Sequence, residues 1–305
     1  MPIDPSAQAV LDILTAPGVP PLDELPPAAA REAYDGLAAF AGEPAAVART
    51  KDLEADGVPV RLYWPEGAGD GPHPVLLWIH GGGFVMGSID GYDPEARALC
   101  ARTGCLVVSV GYRLAPEHRY PAQVEDALAV ARWLDPNIAE HGGDPSRMVV
   151  AGDSAGATLS AVLGHQLHGL FGLQVLLYPM TDLTMSQPSI DENAEGYLLT
   201  RNACEHFRSQ YLGEHADLKD PLASPLFADD TQLAGAPPAL VVTAELDPLR
   251  DEGEAYAVRL REAGVPVDLV RFDGMIHAFF AFGAMIPAAG DALELVAAAV
   301  QKSTG

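Results

Sequence analysis

A chain of 305 residues with 49% hydrophobic content is long enough for one large α/β domain, or two small ones, around a substantial core. Its 42 acidic and 18 basic residues leave a formal charge of −24, which repels nucleic-acid phosphates and anionic lipid and disfavours strongly anionic substrates. No apolar run of about eighteen residues occurs, so no transmembrane span is expected.

The opening Met1-Pro2-Ile3-Asp4-Pro5 has neither a basic region nor an apolar stretch, so no secretory signal is expected and the cytoplasm is the expected compartment. Residues 1 to about 45 are rich in alanine and proline. They show two helical patterns, Ser6 to Leu14 and Pro27 to Ala41, with Asp4 or Ser6 able to cap the first. Such a segment ahead of a sheet must pack on something, and a cap over a site is one option. From about residue 47 the character changes. Val58 to Trp64 alternates as a strand, and Pro74 to Ile79 is a continuous apolar run, the mark of a strand buried on both faces. A helix over Asp93 to Arg102, a buried strand over Cys105 to Tyr112 and a helix over Pro121 to Leu134 follow, with Pro121 in the helix's first turn. Strands are then expected at Arg147 to Ala151, Gln174 to Tyr178, Ala239 to Ala244 and Val267 to Phe272. Helices are expected over Thr158 to His168, Asp251 to Ala263 and Ala289 to Lys302.

Strands alternating with helices argue a mostly parallel central sheet with helices on both faces, an α/β fold whose working site lies beyond the carboxyl ends of the strands. One interval, about 184–226, breaks the rhythm with a helical pattern from Arg201 to Leu212 between proline-bounded loops. It reads as an insertion joining the N-terminal helices over the site. The expected division is a cap segment at 1–45, the core at 46–183, the cap insertion at 184–226 and the rest of the core at 227–305.

The chemistry concentrates at strand ends. Gly152-Asp153-Ser154-Ala155-Gly156 follows the strand ending at Ala151 and opens a helix, the context a G-x-S-x-G nucleophile elbow requires. Chance predicts about 0.1 such pentapeptides in a chain of this composition, so the bland alternative of a glycine-rich turn with a capping serine stands until partners appear. His80-Gly81-Gly82-Gly83 follows the strand ending at Ile79, and chance predicts only about 0.01 of these. Bare glycines let the backbone approach a ligand, and their amides, with that of Ala155, can face a developing oxyanion. His80, Gly81 and Asp153 read as support for this loop. Asp247 lies just past the strand Ala239 to Ala244, and His277 just past Val267 to Phe272. Serine, acid, histidine is the chain order this fold uses. Asp251 and Glu252 remain alternatives for the acid, and Asp247 could be a mere helix cap. Of the other eight histidines, His73, His118, His141, His165, His168, His206 and His215 lack the placement His277 shares with the elbow and with Asp247, and His80, itself at a strand end, reads as structural, orienting the loop.

Five motifs together resemble the hormone-sensitive-lipase-like branch of the α/β-hydrolases, the bacterial family IV esterases. They are His80-Gly81-Gly82-Gly83-Phe84, Tyr112-Arg113-Leu114-Ala115-Pro116-Glu117-His118, Gly152-Asp153-Ser154-Ala155-Gly156, Asp247-Pro248-Leu249-Arg250-Asp251-Glu252 and His277-Ala278-Phe279. The similarity runs from about residue 45 to the C-terminus, and the N-terminal helices resemble the family's cap. It implies an α/β-hydrolase fold and an oxyanion hole from Gly82, Gly83 and Ala155. It also implies a small cap favouring short acyl chains.

The expected reaction is hydrolysis of small carboxylic esters through an acyl-Ser154 intermediate, with Asp247 holding the His277 tautomer and no metal or cofactor. Cys100, Cys105 and Cys204 show no metal-ligand spacing and read as reduced, partly buried thiols. Phe84, Tyr197 and Leu198 are candidates for the substrate pocket, with ordinary packing as the rival reading. Arg113 and Glu117 are expected to pair and hold their loop. The strand Val267 to Phe272 comes late enough to lie at the sheet edge, where a homodimer could form. An amidase or peptidase with the same triad, and a non-catalytic binding protein on this fold, are the competing functions.

Overall fold

Eight strands form one sheet in the order β1-β2-β4-β3-β5-β6-β7-β8 in the computed structural model, which describes residues 2–67, 69, 71–213 and 217–305. His215 and part of the 184–226 segment therefore lie outside the described residues. The chain enters through helices α1 (Pro5–Leu14) and α2 (Pro27–Asp35), the latter continuing as a 3-10 turn over Gly36–Phe40. Asp4 caps α1, its carboxylate accepting from the Ser6 amide. The antiparallel pair β1 (Arg49–Ala55) and β2 (Val58–Trp64) comes next, followed by β3 (His73–Ile79), α3 (Asp93–Thr103) and β4 (Leu106–Val110). Then come α4 (Ala122–Asn137), β5 (Gly143–Asp153), α5 (Ala155–Gln166) and β6 (Leu173–Leu177). Pro121 stands at the N-cap of α4, one residue before its first turn. The interval after β6 carries α6 (Ser189–Glu192), α7 (Arg201–Leu212) and α8 (Asp230–Ala234). It is followed by β7 (Ala239–Leu246), α9 (Arg250–Glu262), β8 (Val267–Ile276) and α10 (Pro287–Thr304).

From β4 across to β8 all pairings are parallel, and the strands inside the sheet, β3, β4, β6 and β7, are buried on both faces. The strand period of two separates their side chains cleanly. Val75, Leu77 and Ile79 of β3 join Val130, Leu134 and Leu159 of α4 and α5 on one side. Leu76 and Trp78 join Leu99 of α3 and Val296 of α10 on the other. This two-sided burial is why these segments read as unbroken apolar runs. β1 has the opposite character: its sequence Arg-Thr-Lys-Asp-Leu-Glu-Ala is mostly exposed and held by its pairing with β2 at the sheet margin. β8 is the opposite margin, as its late position suggests.

The helices outside the sheet's cover are placed by small apolar contacts. Ala7, Val10 and Leu11 of α1 pack in the same cluster as Met275 and Ile276 of β8, and the Asp4 amide donates to the Gly274 carbonyl at 3.0 Å. Ala30 of α2 and Ala203 and Phe207 of α7 close around Val85 and Met86, in the loop that follows β3. The three cysteines are buried and unpaired, and the Cys100 thiol donates to the Tyr63 and Cys105 carbonyls. No helix among the described residues is long and apolar enough to cross a membrane.

The expected Arg113–Glu117 pair does not form. Arg113 turns toward α4, where Nη2 lies 2.7 Å from Oδ1 of Asp126, while Glu117 turns outward and pairs with Arg31 of α2 at 2.5 Å. A tight loop points residues four apart in different directions, and tertiary partners outcompete the local one.

Candidate active site

Four strand ends converge at the carboxyl side of the sheet: the loops after β3, β5, β7 and β8. Ser154 sits between β5 and α5 with φ 50° and ψ −119°, a conformation that a side chain adopts only under constraint. The constraint is visible in the flanking glycines. A Cβ at Gly156 would lie 1.9 Å from the Ile79 carbonyl oxygen, and one at Gly152 would lie 2.5 Å from the Gly156 backbone. Helix α5 thus rests directly on the backbone of β3, which forces the turn that lifts the serine. The Ser154 amide donates to the Leu177 carbonyl at 2.8 Å, tying the turn to β6.

His277 follows β8, and Asp247 follows β7. The Ser154 Oγ lies 2.9 Å from His277 Nε2, and His277 Nδ1 lies 2.7 Å from Asp247 Oδ2. Asp247 is fully buried, and its other oxygen accepts the Leu249 amide at 2.8 Å. An acceptor-only carboxylate facing Nδ1 makes that nitrogen the donor, which leaves Nε2 free to accept the serine hydroxyl proton. The edge of the His277 ring meets Tyr178, the residue after β6, at 4.9 Å between ring centroids. Asn193, just past α6, donates to the Asp247 carbonyl at 3.0 Å, and the Ser189 hydroxyl donates to the Pro248 carbonyl at 2.7 Å. The segment carrying α6 is in this way stitched to the loop after β7.

Asp251 and Glu252, the alternative acids, are committed elsewhere. Asp251 accepts the Ser189 amide at 2.9 Å and the Arg250 guanidinium at 2.7 Å. Glu252 accepts the amides of Thr181 and Asp182 at 2.6 and 3.1 Å, and its burial raises its carboxyl well above the ordinary range.

The glycine loop faces the serine. Gly82 and Gly83 have φ of +104° and +61°, and neither could take a side chain: a Cβ would meet the Met86 carbonyl oxygen at 2.3 Å or the Phe207 ring at 2.6 Å. Among the described residues the amides of Gly82 and Gly83 donate to no protein acceptor, whereas Gly81 donates to Asp153 Oδ1 at 2.7 Å. Ala155 is the first residue of α5, so its amide has no acceptor within the helix. Asp153 is fully buried, and that burial raises its carboxyl to about 6, partly offset by donors from Gly81 and Tyr92. His80 lies buried between the rings of Tyr92 and Tyr112, with Nδ1 donating to the Gly81 carbonyl at 2.8 Å. Burial lowers it to about 4, so it is neutral above that pH and holds the loop without a charge.

Of the pocket candidates, Phe84 is buried with its ring stacked on Tyr211 of α7 at 3.8 Å, locking the glycine loop to that helix. Tyr197 and Leu198 pack at the margin of the cluster containing Tyr178 and Phe279. Reading the sequence overlooked Tyr34, Tyr92, Tyr178 and Asn193. Only Tyr178, standing past a strand end like the others, carried a signal that could have found it.

A protein-family profile described as "alpha/beta hydrolase fold" matches residues 76–281. Carboxylesterase NlhH of Mycobacterium tuberculosis is 43% identical over 252 residues, covering 81% of this chain and 78% of that protein. Ethyl acetate hydrolase of Pseudomonas putida is 37% identical over 320 residues, covering 99% of both. Among solved structures, a hyperthermophilic esterase from the archaeon Pyrobaculum calidifontis superposes with a TM-score of 0.90 at 36% identity over 100% of both chains. With sequence, fold and strand-end loops in agreement, the chain belongs to the α/β-hydrolase family, in the hormone-sensitive-lipase-like branch that its motifs resemble.

Proposed function

We propose that this chain is a serine carboxylesterase acting on small esters with short to medium acyl chains. Ser154 Oγ attacks the ester carbonyl as His277 Nε2 takes its proton. Asp247 fixes the imidazole tautomer and balances the charge of the imidazolium. The amides of Gly82, Gly83 and Ala155 receive the oxyanion, each such donor contributing about 3 kcal/mol in the transition state. The alcohol leaves with the proton from His277. Water, deprotonated by the same imidazole, then releases the acid and frees the serine. The observation that carries the reading is the unbroken line of 2.9 and 2.7 Å from hydroxyl to imidazole to buried carboxylate. The relative named for ethyl acetate, matched along 99% of both chains, supports a short acyl group. In the same reading, the segments 1–45 and 184–226 form the cap over the core at 46–183 and 227–305. Phe84, Tyr197 and Leu198 border the pocket.

The test is hydrolysis of p-nitrophenyl esters of graded chain length beside the matching anilides. Turnover of butyrate well above the anilide supports the esterase, and preference for the anilide would make the chain an amidase. No turnover by folded protein would leave a binding protein. Stoichiometric mass addition by an organophosphate at Ser154, and loss of activity in Ser154→Ala, test the nucleophile itself. The buried, unpaired thiols suit a reducing compartment such as the cytoplasm. The open margin of β8 offers a strand for a second copy, and light scattering on the purified chain tests that dimer.

A further inference from the structure

One face of α2 holds the glycine loop at several points. Arg31, Tyr34 and Asp35 stand three and four residues apart, so their side chains share that face. The Arg31 guanidinium donates to the Val85 carbonyl at 2.8 Å and to the Ala115 carbonyl at 2.9 Å. The Asp35 carboxylate accepts the Ser88 hydroxyl at 2.8 Å, and the Ser88 oxygen in turn accepts the Gly91 amide at 2.9 Å. Between them, the hydroxyls of Tyr34 and Tyr92 lie 2.7 Å apart. Tyr92 donates to Asp153 Oδ2 at 3.2 Å, and Asp153 Oδ1 accepts the Gly81 amide at 2.7 Å. Since the Tyr92 proton goes to the carboxylate, Tyr34 donates to the Tyr92 oxygen. The result is a directed chain of hydrogen bonds from a helix outside the sheet to the residue before Gly82.

The loop needs such a constraint. Gly82, Gly83 and Gly87 all have positive φ, and a glycine-rich backbone has more conformations to lose than any other. Oxyanion donors work because they are in place before charge develops, so slack in this loop is read directly in the rate.

We propose that α2 is a positioning element for the glycine loop, and that Tyr34 acts on the reaction through Tyr92, Asp153 and Gly81. This rests on the reading above, in which the Gly82 and Gly83 amides receive the oxyanion. Tyr34 and Tyr92 are positioning residues: neither makes a hydrogen bond or ring contact to Ser154 or His277 among the described residues. Their effect falls on the transition state rather than on the bound ester, so kcat changes and KM does not.

A second readout is the acid limb of the kcat profile. The titratable groups facing Asp153 are Tyr34 from α2, Tyr92 and Glu95 at the start of α3, Tyr112 after β4, Tyr178 after β6 and His277 after β8. The His80 ring on Tyr92 is neutral. Removing the Tyr92 hydroxyl takes a donor from the ionised form of Asp153. That raises its pKa, and the acid limb moves to higher pH.

The experiment uses the full chain with p-nitrophenyl butyrate, comparing wild type, Tyr34→Phe, Tyr92→Phe, the double variant and Tyr256→Phe. Tyr256 is a fully buried tyrosine of α9 in a different cluster and serves as the control. Tyr34→Phe and Tyr92→Phe are expected to lower kcat by about 10-fold with KM within about twofold, and the double variant to be no worse than Tyr92→Phe. The acid limb is expected to move up in Tyr92→Phe, and Tyr256→Phe is expected to match wild type. An unchanged kcat in Tyr34→Phe overturns the proposal, as does an equal loss in Tyr256→Phe. So does a loss of kcat in both variants with the acid limb of Tyr92→Phe unmoved. If Tyr92→Phe does not fold, Tyr34→Phe decides alone by its kcat. Ser154→Ala, measured alongside, separates the two layers. If it keeps the wild-type rate, the esterase reading fails. If it is inactive while Tyr34→Phe is unchanged, only the role of α2 fails.

Discussion

The carboxylate of Asp247 meets His277 Nδ1 at 2.7 Å with one oxygen and the Leu249 amide at 2.8 Å with the other. Both oxygens are spoken for, so the acid cannot swing, and the imidazole is held in one tautomer. Asp247→Asn presents an amide that can donate to Nδ1 and thereby stabilises the wrong tautomer. Steady-state kinetics on p-nitrophenyl butyrate should show kcat down by about 10⁴-fold with little change in KM. Glu252→Gln should show a far smaller loss, because Glu252 faces the Thr181 and Asp182 amides instead.

Ser154 stands at φ 50° and ψ −119°, where glycine is at ease and other residues are strained. Ser154→Gly should therefore gain about 1 kcal/mol in urea unfolding, strain relief outweighing glycine's extra chain entropy, while losing the activity entirely.

Gly156 and Gly290 make opposite predictions for the same substitution. A Cβ at Gly156 would stand 1.9 Å from the Ile79 carbonyl oxygen, so Gly156→Ala must push α5 off β3. It should cost more than about 3 kcal/mol and yield little soluble protein. Gly290 lies within α10, where an added methyl group would meet nothing within 4 Å, so Gly290→Ala should raise stability by about 0.5–1 kcal/mol.

Glu95 of α3 is buried with one oxygen unpartnered, and burial pushes its carboxyl up from 4.5 to about 8. Between those values the unfolded chain has released the proton and the folded chain still holds it, so stability falls as pH rises. Glu95→Gln carries no such proton. The variant's melting temperature relative to wild type should climb between pH about 4.5 and about 8, then level off. A difference independent of pH would show that Glu95 ionises in the folded chain as it does in water.

Much of this was legible in the residues because the inner strands of the parallel sheet are buried on both faces. Leu76 and Leu77 point in opposite directions and both meet apolar partners. β1 left no such trace: Arg49, Lys51 and Asp52 are exposed, and only backbone pairing with β2 makes them a strand. Ser154, Asp247 and His277 were findable because each follows a strand. The tyrosine chain behind Asp153 was not. Tyr34 and Tyr92 are 58 residues apart, and no local pattern links a helix face to a hydroxyl that far along. For the same reason the pairing of Arg113 with Asp126 rather than Glu117 emerged only from the folded chain.

β5 stands fifth of eight in the sheet, and β8 is its margin. The serine thus hangs from a strand with strands on both sides, and the histidine from one with no further strand beyond it among the described residues. Amide hydrogen exchange on warming should spread inward from the β8 side. Esterase turnover would then fade before the cooperative melt, with the nucleophile still seated and its base already adrift.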